Sequence, residues 1–149
     1  MRAALRHFSS TSSKPSTSVY IWRAMPQAAT KASQEITTGI QIRKGRPSKI
    51  QALDDKGIEK IYFGIRHSAV LSHEGQLYTF GNGNYGVLGH GSEQNINFKE
   101  PRLVSFFEEA ALPVEQVALG EYHSMALTRD GRVFTWGFGG STGLWAYFS

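Results

Sequence analysis

The residues of this chain that could do chemistry are two histidines, two glycine-rich runs and one basic run. His67 and His123 each stand before a serine, Ser68 and Ser124. Paired histidines suggest a metal centre, but a metal needs several ligands converging on one point. These two belong to separate sequence units, so the reading is a hydrogen-bonded scaffold role for both. His73 and His90 are not repeated and need no role. Gly81-Asn82-Gly83-Asn84-Tyr85-Gly86 fits the dinucleotide pattern Gly-x-Gly-x-x-Gly. That site requires a helix to begin there, with its N-terminus facing a pyrophosphate. Gly89 and Gly91 follow instead and would break such a helix, so the run reads as a turn. Gly139-Gly140-Ser141-Thr142-Gly143 fits a hydrolase nucleophile elbow. No acid or histidine follows Ser141, so the triad cannot be completed in the hydrolase order. Arg43-Lys44-Gly45-Arg46-Pro47 fits a minor-groove hook or a nuclear signal, and equally a solvated basic loop, which is the reading adopted. The chain has no cysteine, which excludes disulfides, thiolate metal sites and cysteine nucleophiles. No catalytic residue, metal site, cofactor or small-molecule substrate is expected, and the chain reads as a non-enzyme.

The elements that must carry these residues come from an internal repeat at an offset of 56. Gly64, His67, Ser68, Leu71, Gly75, Thr79, Gly81 and Gly83 recur as Gly120, His123, Ser124, Leu127, Gly131, Thr135, Gly137 and Gly139. Phe80 is exchanged for Trp136, and Tyr78 for Phe134. Upstream, Pro47 to Ile50 matches Pro101 to Val104 loosely, and Val19 to Trp22 resembles Leu77 to Phe80. Ser68–Ser72 and Gln76–Phe80 are strand candidates joined by His73-Glu74-Gly75, with Arg129-Asp130-Gly131 in the second copy. Glu-Gly and Asp-Gly between strands signal hairpins. One helix is predicted between units, with Ser105 and Glu108 as a capping box and Pro113 as its stop. Hairpins repeating every 40–60 residues with Gly and aromatics describe propeller blades.

The run from Gly64 through His67, Ser68 and Leu71, then Gly75, Phe80, Gly81, Gly83, Gly86, Leu88 and Gly89, resembles the regulator of chromosome condensation repeat family. Gly120, His123, Ser124, Leu127, Gly131, Trp136, Gly137 and Gly139 repeat its first part. The resemblance covers about residues 47–144. It implies an all-β fold, a seven-bladed propeller in complete members. About two units are visible here, near 47–100 and 101–149. The expectation is therefore an open, partial propeller with unpaired edges, from either a short protein or a truncated one.

Charge is unevenly placed. Residues 1–34 hold Arg2, Arg6, Lys14, Arg23 and Lys31 and no acid. Residues 35–149 hold 11 basic and 12 acidic groups, a net of −1, which gives no case for nucleic acid. The first segment is rich in Ser and Thr, and Met1, Ala4, Leu5 and Phe8 fall at helical spacing opposite Arg2 and Arg6. It reads as a disordered or helical mitochondrial leader over 1–35, followed by a basic linker over 36–46. Arg6-His7-Phe8-Ser9-Ser10 resembles a matrix-protease site. With the family resemblance, this implies a mitochondrial scaffold or assembly factor with protein partners. Its object would be an inner-membrane respiratory complex such as the cytochrome bc complex, or the mitoribosome, with peripheral membrane association. The alternatives are a nuclear exchange factor for a Ran-type GTPase and a rim-binding interaction or inhibitor propeller.

Overall fold

The computed structural model describes residues 2–8, 16–22, 47–91, 96–138 and 146–148. They form three antiparallel sheets. The first joins β1 (Arg2–Phe8), β2 (Ser16–Trp22) and β3 (Ser48–Lys49) in that order. The second is a four-stranded meander of β4 (Ile58–Phe63), β5 (His67–Ser72), β6 (Leu77–Gly81) and β7 (Phe98–Leu103). The third repeats it with β8 (Val114–Leu119), β9 (His123–Thr128), β10 (Val133–Gly137) and β11 (Ala146–Phe148). The described residues are all-β apart from short helical turns and one small helix, α1 (Ser105–Glu109).

The offset of 56 holds in the backbone. A register shift falls between Ile58 and Lys60 on β4 and again between Val114 and Gln116 on β8. Gly81 and Gly137 end β6 and β10 with the same φ of +114°. At each, a side chain would strike backbone: an added Cβ lies 2.8 Å from His67 Cα at Gly81 and 2.5 Å from the Tyr122 carbonyl oxygen at Gly137. Glycine there lets the end of one strand pass close over the start of its neighbour.

The sheets stack through two apolar layers. Val19, Ile21, Ile50, Leu53, Ile58, Val70, Tyr78 and Phe80 fill the layer between the first and second sheets. Ala69, Leu71, Leu77, Val104, Phe107, Val117, Ala126, Phe134 and Trp136 fill the layer between the second and third. The second sheet is covered on both faces, so every residue of β5 and β6 is buried. On β9 burial alternates, with Ser124, Ala126 and Thr128 buried and His123 and Met125 exposed.

Three expectations are corrected. The helical spacing at the start of the chain does not become a helix, because Arg2–Phe8 pairs along its whole length with β2. An isolated helix of this length is marginal, whereas the hairpin satisfies the backbone of both segments. The register is that of a repeat: Leu5 faces Val19 as Leu71 faces Leu77 and Leu127 faces Val133. The capping box also fails. Val104 is the N-cap of α1, no side chain caps it, and Glu108 accepts instead from Gln76 Nε2 at 3.2 Å. Ala110 through Leu112 leave the helix, Ala111 adopting φ +52°, so α1 ends before Pro113 is reached. Finally, the strand that opens each sequence unit completes the sheet before it: β3 pairs with β2, and β7, containing Pro101, pairs with β6.

Candidate functional site

The histidine that the repeat singles out lies at the seam between the second and third sheets. His67 opens β5 and is only 1% exposed. Its Nε2 is 2.7 Å from Ser124 Oγ on β9. Ser124 gives its one hydroxyl proton to the Val87 carbonyl at 2.7 Å. Nε2 of His67 must therefore carry the hydrogen and donate to Ser124. Trp136 Nε1–H donates to the same Val87 carbonyl at 2.8 Å. From the second sheet, Thr79 Oγ1 donates to the neighbouring Leu88 carbonyl at 2.6 Å. The connection from β6 to β7 is thus pinned from both sheets at adjacent carbonyls. Nδ1 of His67 is buried without a hydrogen-bond partner. Burial, assisted by the nearby His123, pushes the His67 pKa down to about 4.

The pinned connection presents a ring. After β6 the chain makes a one-turn helical bend at Asn84–Gly86, in which Tyr85 adopts φ +62°. A left-handed conformation is costly for a tyrosine and persists only where the surroundings hold it. The Tyr85 ring meets Tyr122 edge-on, with centroids 5.5 Å apart, and Phe138 at 5.0 Å. Tyr122 comes from the β8–β9 loop and Phe138 from the residue after β10. Arg66, from the β4–β5 loop, lies 5.0 Å over the Tyr122 ring. It donates to Glu121 Oε1 from Nε at 3.2 Å and Nη2 at 3.1 Å, and from Nη2 to Tyr122 Oη at 3.1 Å. Hydrogen bonds from Tyr122 and Arg66 hold the Glu121 carboxyl below the usual carboxylate range.

The result is a neutral aromatic shelf at one end of the sheets. Tyr85 is 50% and Phe138 56% exposed, and Phe63, Ile65 and Ile96, which end β4, follow it and precede β7, are exposed as well. The opposite end, where the β5–β6 hairpin and α1 lie, carries the exposed acids Glu74, Glu108 and Glu109. Tyr, Phe and a half-covered Arg are the residue types that anchor protein contacts.

Of the other residues the sequence singled out, Gly64 and Gly120 lie just before the loops that lead into β5 and β9. Gly75 and Gly131 turn the two hairpins. Leu71 and Phe80 are core, and Leu88 is buried beside Val87. Gly83 packs against the Ile96 backbone, Gly86 ends the bend, and Gly89 lies beneath the Trp136 indole. The Gly-x-Gly-x-x-Gly run starts no α-helix. His123 is exposed, its ring over Gly120. Arg2, Arg6 and Phe8 are on β1, while Ser9, the basic residues 43–46 and the elbow pattern with Gly139 lie outside the described residues. Among the described residues no His/Asp/Glu group could hold a metal, and no helix is long and apolar enough to cross a membrane. Sequence reasoning missed the shelf, because Tyr85, Tyr122 and Phe138 occupy non-repeating positions. The available signal was three aromatics set among turn residues, where no core awaits a ring.

Residues 74–127 and 114–141 each match the Regulator of chromosome condensation (RCC1) repeat. The chain is a member of the RCC1 repeat family. The serine/threonine-protein kinase Nek9 of Xenopus laevis is 36% identical over 121 residues, which are 81% of this chain and 12% of Nek9. The mitochondrial RCC1 domain-containing protein RUG3 of Arabidopsis thaliana is 40% identical over 94 residues, 63% of this chain and 20% of RUG3. This chain thus spans a small part of the curated relatives it matches. Among solved structures, Prp20p of Saccharomyces cerevisiae superposes with a TM-score of 0.59 at 21% identity, over 84% of this chain and 30% of that one. That protein is described with its binding to Gsp1p and histones. Yeast RCC1 bound to Kap60 gives a TM-score of 0.54 at 25% identity, over 83% and 26% of the two chains. The RCC1 propeller is the fold of this chain, and protein binding is recorded for these structural neighbours.

Proposed function

We propose that this chain is the interaction-bearing part of a non-enzymatic RCC1 propeller protein of the mitochondrion. In this reading it acts as a scaffold in assembling an inner-membrane respiratory complex or the mitoribosome. The observation that carries the binding role is the aromatic shelf of Tyr85, Tyr122 and Phe138, held rigid by the seam beneath it. The ion pair it carries, Arg66 with Glu121, is internal, so a partner surface that is apolar and uncharged can cover it without stranding either charge. The mitochondrial address is supported by the acid-free leader with its five basic residues and by the 40% identity to a mitochondrial relative. Import threads an unfolded chain, so the leader is read before β1 pairs with β2.

Two arms test this reading. A photo-crosslinking residue at Phe138 is expected to capture one discrete protein in intact mitochondria, and Tyr85→Ser is expected to abolish the product. The same probe at Glu109, on the acidic end, is the control; equal capture there would remove the shelf from the argument. A reporter fused behind residues 1–35 is expected in mitochondria, and a cytosolic reporter would overturn the address.

A further inference from the structure

We propose that the His67–Ser124–Val87 seam is a proton-operated latch: protonating His67 opens the contact between the second and third sheets and frees the turn that carries Tyr85. The latch is built from three linked bonds. His67 donates to Ser124, Ser124 donates to Val87, and Trp136 donates to Val87 from the same side. Because Ser124 spends its only proton on Val87, neutral His67 is fixed in the Nε2–H form, and a second proton can go only to Nδ1. That atom is buried and has no hydrogen-bond partner among the described residues. A cation there is neither hydrated nor paired, and it becomes tolerable only if the seam opens to water.

Among the described residues the surroundings offer no compensation. From β9, His123 repels the charge. From the β8–β9 loop, Glu121 and Tyr122 are tied to Arg66, the residue before His67. On the β6–β7 connection, His90 Nε2 lies 3.0 Å from Thr79 Oγ1. On the inner strands, Glu59, Lys60 and Glu115 are exposed.

The direction follows from linkage. The unfolded or opened form takes up the proton near the ordinary value of 6.5, the closed form only near 4. Closure is therefore fully favoured above about pH 6.5 and is lost as the pH falls toward 4. The latch rests on seam geometry and stands whether or not the shelf binds a partner. Where it does, acidification loosens the partner's platform without touching a shelf residue.

Amide exchange of residues 83–89 and urea unfolding of the full chain, read from pH 7.5 to pH 5, test the latch. The seam-opening constant of the wild type is expected to rise about 30-fold over that range. His67→Gln keeps a donor near Ser124 but cannot titrate, so its opening constant should stay flat. Ser124→Ala should open more readily at every pH while keeping the wild-type slope. Should either variant fold poorly, nitrogen-detected NMR of the wild type gives the answer alone: an Nε2–H tautomer with a midpoint well below the ordinary histidine value is expected. A wild type that does not respond, a His67→Gln variant that responds as the wild type does, or a His67 midpoint at or above 6.5 would each overturn the proposal.

Discussion

The second and third sheets are built from two copies of one repeat at an offset of 56, yet the strand β5 is buried throughout and its counterpart β9 on alternate residues only. On the second sheet, His67 and Ala69 are buried and β5 has no exposed residue. At the equivalent places on the third, His123 and Met125 are exposed, Met125 by 38%, and Leu127 is half-buried. The signature residue types match, so their energetic worth is set by what packs against them. A repeat signature says which positions face a neighbouring blade. It does not say that a neighbour is covering them.

This contrast can be broken by paired substitutions. The largest expected effect is at the leucines. Leu71→Ala should cost about 3 kcal/mol, because Leu71 fills the layer between two sheets, while Leu127→Ala should cost about 1 kcal/mol. Urea unfolding reads the difference, and equal losses would mean that the two faces are covered alike. Next come the hairpin glycines. Gly75 and Gly131 share φ values of +89° and +87°. A Cβ at Gly75 would lie 2.7 Å from Pro113 Cβ and 2.9 Å from its Cα, whereas a Cβ at Gly131 meets nothing within 4 Å. Gly131→Ala should therefore show backbone strain alone, about 1 kcal/mol, and Gly75→Ala roughly twice that. The smallest effect is expected for Trp136→Phe, which gives the third sheet the ring that the second has in Phe80. It removes one of two donors to Val87 and should cost about 1 kcal/mol or slightly less. Faster exchange near Val87 should accompany it, and unchanged exchange would show that Ser124 holds the turn alone.

Much of the architecture was legible in the residues. The offset, the Gly75 and Gly131 hairpins and the strands around them are local features, and local features are what a single chain displays. The beginning of the chain was misjudged because Ala4, Leu5 and Phe8 satisfy a helical period, and the competing term is pairing with β2, a contact the period cannot report. The capping box at Ser105 had the right letters, but Glu108 was drawn to Gln76 in the β5–β6 connection. The seam needed three dimensions: Val87 carries no polar side chain, and its carbonyl became the anchor only once two sheets met over it. Tyr85 lay inside a run read only as a turn, although its ring is 50% exposed and packs with the exposed Phe138.

The strands that open each unit have a consequence for how such a chain is lengthened or cut. Since Ser48–Lys49 completes one sheet and Phe98–Leu103 the next, excising residues 47 to 100 takes the outer ribbon of the first sheet with the first half of the next ribbon, and leaves Pro101–Leu103 to pair where Ser48–Lys49 did. The register therefore survives an excision or insertion that brings one outer ribbon to the place of the next, a length of 54 residues counted from Pro47 to Pro101 and 56 counted from Gly64 to Gly120. An excision of half that length leaves two sheets each missing a rib. What such a gene must preserve when it duplicates is a block length, not a block boundary.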